Sequence, residues 1–165
     1  MKKYAYFIIC AMTVLSGGCS DSIKKEVKPA CQDLGQVWLM EFAPQSINIV
    51  GLTGFSKIGD KKILKVYLVL LDQAGAGIKS PLAVRAELYE HSPRSPVPKG
   101  KRIEFWPDMD LNNAKANNQY WRDYLRAYEF SFDADSAQQG RSYLLEVTAQ
   151  LPGSRRVSAM KELNF

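Results

Sequence analysis

One histidine and three cysteines are all that 165 residues offer of the two most versatile metal ligands. The usual zinc sets draw three or four ligands from histidine, cysteine and carboxylate. His91 and the single cysteine beyond the first nineteen residues, Cys31, do not complete one. Nucleophilic catalysis needs a base within hydrogen-bond reach and a third group to orient it. The sequence has no Gly-x-Ser-x-Gly elbow to supply the nucleophile. His91 ends a strand pattern beside a proline-rich loop and is read as a surface residue. Gly51-Leu52-Thr53-Gly54-Phe55-Ser56-Lys57 contains glycines and a Ser-Lys pair, but not at the spacing of a phosphate loop. The chain is therefore expected to be non-catalytic and to need no cofactor.

Charge of one sign is also scarce. The net charge is +5, and the lysines and arginines interleave with acidic residues instead of forming a basic stripe, which argues against nucleic acid as a partner. Internal repeats and low-complexity segments are absent. No apolar run reaches the ~20 residues that a spanning helix requires.

The N-terminus is where the sequence becomes specific. Lys2 and Lys3 precede a run of about a dozen apolar residues, Tyr4 to Leu15, too short to span a bilayer but suited to an export signal. Ser16-Gly17-Gly18-Cys19 follows. This order resembles the type II signal of bacterial lipoproteins, although Ser16 stands where that family usually has Leu. The resemblance implies cleavage after Gly18, lipidation of Cys19 and a cell-envelope location. Ser20, not Asp, follows the cysteine, which in the familiar sorting scheme implies the periplasmic face of the outer membrane over the inner membrane. An ordinary secretory signal would instead leave a Cys19 thiol able to pair with Cys31. The expected organisation is a signal at 1–18, a lipidated cysteine and flexible tether at 19–35, and one domain at 36–165. Trp38-Leu39-Met40 and Phe42 open the domain as a first strand or an apolar patch.

Within the domain, short apolar runs alternate with polar residues at period two, the mark of strands with one face buried. Leu64, Val66, Leu68 and Leu70 share a face; so do Leu82, Val84, Ala86 and Leu88. Ile103 and Phe105, then Tyr128, Phe130 and Phe132, then Tyr143, Leu145, Val147 and Ala149 repeat the pattern. With 47–52 and 157–165 these make about seven strands. Gly59-Asp60, Ala74 to Gly77, Ser92 to Gly100 and Pro152-Gly153 separate them, the last as a type II turn. The fold class expected is all-β, a two-sheet antiparallel sandwich. Gly140-Arg141-Ser142-Tyr143-Leu144-Leu145 resembles the entry to the penultimate strand of immunoglobulin-like domains, which implies a corner role for Tyr143 and an inner position for Leu145; Tyr143 as a plain inward aromatic remains the alternative. Tyr120, Trp121, Tyr124 and Leu125 have the spacing of one helical face, so a short helix within 110–125 is expected between the fourth and fifth strands.

Three groups are candidates for contact. Trp106, Asn117, Asn118, Tyr120, Trp121, Arg122 and Tyr124, with Asp123 and Tyr128, mix aromatic faces with amide and charged groups across 106–128. That composition fits a core cap, a protein interface or a glycan platform. Asp108, Asp110 and Asn112 place oxygen donors at alternate positions, as a calcium loop begins, but Asn113 and Gln119 stand where glycine and glutamate belong; helix capping by Asp110 or Asn112 is the other reading. Arg94, Lys99, Lys101 and Arg102 surround Ser95-Pro96-Val97-Pro98, either a stiff solvated connection or a patch for anionic head groups. The whole resembles the β-sandwich lipoproteins of bacterial envelopes, which implies a membrane-anchored scaffold docking an envelope protein; glycan or peptidoglycan binding through 106–128 is the alternative. The intact mass of the mature N-terminal peptide is expected to carry diacylglycerol on Cys19, and Cys19→Ser is expected to move the protein from the membrane fraction to the soluble one.

Overall fold

The computed structural model describes residues 42–165. The signal, Cys19, the 19–35 tether, Cys31 and Trp38-Leu39-Met40 lie outside the described residues. The order of elements is β1 (Ser46–Ile49), β2 (Gly54–Ile58), β3 (Lys61–Leu71), β4 (Gly77–Ile78), β5 (Ala83–His91), β6 (Lys99–Phe105), β7 (Met109–Asp110), α1 (Ala114–Tyr120), β8 (Trp121–Arg122), β9 (Ala127–Asp133), β10 (Ser142–Gln150) and β11 (Arg156–Asn164). One sheet runs β1-β3-β9-β8, with β2 and β4 also on β3. The other runs β11-β10-β5-β6, with β7 on β5. Every pairing is antiparallel.

Period-two alternation produces this architecture. Leu64, Val66, Leu68 and Leu70 on β3 face Val84, Ala86 and Leu88 on β5 and Leu145, Val147 and Ala149 on β10 in one core. Burying each leucine is worth roughly 1.5–3 kcal/mol, so one face of each sheet is committed to the other. In immunoglobulin order, β1-β3-β9 stand where strands A-B-E stand, and β11-β10-β5-β6 where G-F-C-C′ stand. Tyr143 opens β10 as the corner residue. It is 1% exposed, and its hydroxyl accepts from the Gln138 N–H at 2.6 Å and donates to the Gln138 carbonyl at 3.3 Å. Corner and inward aromatic are thus one role. Gly153, at φ 77° and ψ 19°, takes the left-handed position of the turn between β10 and β11.

Four expectations need correction. First, 47–52 is not one strand: β1 stops at Ile49, the chain turns at Gly51-Leu52, and β2 pairs with β3 to bring Phe55 onto Phe165 at 4.7 Å. The glycine-bearing stretch at 51–57 is therefore this turn and strand. Second, Ile103 packs against the core as expected, but beyond it β6 inverts the expected alternation. Register shifts flank Tyr89, so Glu104 lies opposite inward Leu88, and Phe105, 49% exposed, lies opposite outward Glu87. A bulge adds a residue to one strand and flips every side chain beyond it. Third, α1 ends at Tyr120, and Trp121 takes extended angles of φ −76° and ψ 134°. Trp121 and Arg122 then pair with Tyr128 and Ala127, so the helical spacing of Tyr124 and Leu125 is coincidental. Fourth, the helix cap is Asn113, whose Oδ1 accepts from the Ala116 N–H at 2.8 Å, not Asp110 or Asn112. Tyr143→Phe removes the acceptor of the Gln138 N–H and is expected to cost about 1–2 kcal/mol in urea unfolding with an unchanged m-value.

Candidate functional site

The residues of 106–128 do not form one cluster. Trp106 stacks on Phe132 at 4.7 Å, and its Nε1–H donates to the Asp133 carbonyl at 2.8 Å. Tyr128 and Asp133 lie five residues apart on β9, roughly 17 Å along the strand. Trp106 is 8% exposed and belongs to the core. It leaves the candidate surface because its indole needs a backbone acceptor and finds one at the far end of β9.

Of the remaining residues, Asn117 meets the hydroxyl of Tyr128, which is fully buried. It accepts from the Ser80 N–H at 3.1 Å and lies 3.0 Å from the Ser80 carbonyl and 3.1 Å from Asn117 Oδ1, with one proton to share between those two acceptors. The Asn117 amide completes the set by donating to the carbonyls of Ser80 at 2.8 Å and Leu111 at 3.0 Å. Asn117 is thereby a buried tie and not a surface contact: it fastens α1 to the 79–81 segment. Burial, the largest cause, holds the Tyr128 phenol above its usual pKa.

Outside this node, the other candidates divide by exposure. Tyr120 packs on Phe130 at 5.2 Å and Trp121 meets Tyr128 edge-on at 5.0 Å. The Trp121 Nε1–H donates to Asp123 Oδ1 at 2.7 Å. Arg122 donates through Nε to Glu129 at 2.6 Å and through Nη1 to the Gln119 carbonyl at 2.9 Å. Its hydrogen bond is the main cause holding the Glu129 carboxyl below the ordinary range, with the Arg122 and Lys65 charges adding to it against desolvation. Arg122 is therefore committed to the fold. Asn118 is exposed and hydrogen-bonds the Lys79 ammonium, which sits 5.6 Å from the Trp121 ring. Tyr124, at the tip of the β8–β9 hairpin, is 80% exposed.

Lys79 and Ser80 form a ridge between two depressions. A cavity of about 320 Å³ lies between residues 79–81 and 111–118. One of about 380 Å³ lies on the other side, walled by Phe42, Ile78, Trp121 and Arg126. The sequence pattern did not single out Lys79 or Arg126, because each lies in an irregular segment whose neighbours are set by tertiary packing. Arg126, at φ 49°, closes the hairpin and donates to the Gly77 carbonyl at 2.8 Å.

The other candidates are also placed apart. Asp108 takes a bidentate pair from Arg85 at 2.7 and 2.8 Å, and that hydrogen bond is the main cause of its lowered pKa. Asp110 lies on β7, and its Oδ1 accepts from the Asn112 N–H at 2.9 Å and from the Asn112 side-chain amide at 2.6 Å, so Asp108 is engaged by Arg85 and Asp110 by Asn112. Of the basic loop, Lys99 pairs with Glu146 at 2.5 Å and Arg102 with Glu87 at 2.8 Å, leaving Arg94 and Lys101 as its solvated charges. His91 is not a surface residue: its side chain is 12% exposed, with Nδ1 3.1 Å from Glu162 Oε1. Among the described residues, no helix is long and apolar enough to cross a membrane. No family model matches the chain, and neither a curated protein nor a solved structure matches it.

Truncating the two neighbouring asparagines separates tie from surface. Asn117→Ala strands the buried Leu111 carbonyl and takes one of two donors from the Ser80 carbonyl, and is expected to destabilise by roughly 1–3 kcal/mol. Asn118→Ala is expected to stay within about 0.5 kcal/mol of the parent in the same chemical melts.

Proposed function

We propose that this chain is a lipid-anchored, non-catalytic docking module of a bacterial envelope, tethered through Cys19 and presenting the β8–β9 hairpin to a protein partner. The observation that carries the reading is Tyr124, 80% exposed on a hairpin braced from behind. Arg122 is tied to Glu129, and Trp121 is tied to Asp123 and packed on Tyr128. A phenol held out on a rigid turn gives large contact area at little entropic cost, and Tyr, Trp and Arg dominate the energetics of protein interfaces. The depression beside Trp121 offers a socket for a partner side chain. The N-terminal pattern Lys2-Lys3, apolar run, Gly17-Gly18-Cys19 supports the anchoring, and Ser20 supports the periplasmic face of the outer membrane.

A glycan or peptidoglycan reading of the same surface draws on Asn118 and Lys79 beside Trp121. Tyr124→Ala leaves every described hydrogen bond intact, so its melting temperature is expected to match the parent. Crosslinking in intact envelopes, followed by pull-down, is expected to lose a specific protein band in this variant. Retention of that band by Tyr124→Ala overturns the docking surface. Loss of binding to isolated peptidoglycan with no protein band affected transfers the surface to the glycan reading.

A further inference from the structure

The outward face of the β11-β10-β5 sheet carries a polar site that the hairpin reading does not use. Register places its side chains in rows. Ala83, Gln150 and Arg156 form one row, and Arg85, Thr148 and Ser158 form the next. Glu87 and Glu146 meet in the third, with Phe105 beyond Glu87 and Met160 beyond Glu146. A depression of about 270 Å³ lies over these rows, walled also by Asp108. Its floor is deep for a sheet face: the Glu87 and Glu146 side chains are 15% and 16% exposed.

Two carboxylates directly opposite each other destabilise a sheet. Here each is held by a cation from outside the depression, Arg102 on Glu87 Oε1 and Lys99 on Glu146 Oε2. That leaves Glu87 Oε2 and Glu146 Oε1 without a hydrogen bond from any described residue. Asp108 is likewise held by Arg85. Arg156, Gln150, Thr148 and Ser158 make no side-chain hydrogen bond among the described residues, and the Arg156 charge acts on Asp108 only at a distance. The depression therefore presents open acceptors and open donors a few ångströms apart, with neighbouring strands about 4.8 Å from each other.

We propose that this face binds a neutral polyhydroxylated ligand, a short stretch of uncharged glycan. The mixture of signs decides the class. A phosphate or carboxylate would gain Arg156 but meet Glu87, Glu146 and Asp108. A cation would gain those carboxylates but meet Arg85 and Arg156. A sugar hydroxyl both donates and accepts, so it satisfies a carboxylate oxygen and an arginine or amide donor together. Phe105, 49% exposed in the row beyond Glu87 with Arg102 5.6 Å from its ring, supplies apolar surface beside the depression for ring C–H groups. The site lies on the sheet opposite the β8–β9 hairpin, so it stands or falls independently of the docking reading.

The test is titration calorimetry of the full-length detergent-solubilised protein with neutral hexasaccharides of glucose and of N-acetylglucosamine, and with a hexamer of galacturonic acid as the anionic probe. At least one neutral probe is expected to bind, about tenfold more weakly to Arg156→Ala, Gln150→Ala and Thr148→Val, and unchanged to Lys57→Ala. Thr148→Val keeps a β-branched side chain, so its loss of binding reads the hydroxyl and not the fold. The proposal is overturned by any of four results: no heat with either neutral probe up to about 10 mM, binding indifferent to the three substitutions, binding of the uronic hexamer alone, or a dimer that Arg156→Ala dissociates.

Discussion

The buried hydroxyl of Tyr128 is the constraint on which the irregular half of the molecule depends. The regular strands hold one another by ladder bonds and apolar burial, but α1 and the segment around Ser80 have no ladder. Both end at this phenol and the Asn117 amide beside it. A polar group this deep costs several kcal/mol if left unpaired, so the arrangement is nearly all-or-none. Once it forms, the end of α1 is placed, Trp121 is laid against Tyr128, and β8 has to begin there. The exposed hairpin is thus positioned by a buried hydrogen-bond set several residues away from it in sequence.

What the sequence revealed follows from the range of the interactions. Strand existence is written in side-chain alternation, which is local, and seven expected strands correspond to β1, β3, β5, β6, β9, β10 and β11. Tyr143 was legible for a similar reason: a corner tyrosine bonds only five residues upstream. The short strands β2, β4, β7 and β8 were not legible, since a pair of residues such as Gly77 and Ile78 becomes a strand only because β3 lies beside it. The same limit divided the 106–128 cluster. Proximity in sequence suggested one surface, but a strand pattern does not say which end of β9 each aromatic reaches. Trp106 went to Asp133, Trp121 to Tyr128, and Asn117 inward.

Both outer sheet faces handle acidic residues in the same way. Glu129 on one sheet and Glu87 and Glu146 on the other are each about 85% covered and each takes a cation, from the adjacent strand for Glu129 and Glu87 and from across β5 for Glu146. For Glu129 the consequence has a definite sign. Its folded-state pKa lies below the unfolded one, so the pair stabilises the fold above the unfolded value and is lost as pH falls through the folded value. The difference between the faces lies in what remains open. Around Glu129, Arg122, Lys65 and Tyr67 close on one carboxylate. Around Glu87 and Glu146, each cation holds one oxygen and leaves the other free, which turns a stabilising network into a recognition surface.

The proposed anchoring leaves both surfaces usable at once. The chain enters the sandwich beside the β10–β11 turn, where Arg155 donates to the Gln45 carbonyl at 2.9 Å. Ser46 pairs with Leu71, and Leu71 pairs with Gly77, whose carbonyl Arg126 holds. Chain entry and the β8–β9 hairpin therefore share one end of the sandwich, and the polar depression starts near that end at Gln150 and Arg156 but lies on the outward face of the other sheet. A lipid at Cys19, as proposed, would be separated from Phe42 by 23 residues of chain, whose fully extended reach is at most roughly 80 Å. The hairpin and the depression belong to different sheets. The proposed docking and the proposed glycan contact are then compatible, each with its own residues.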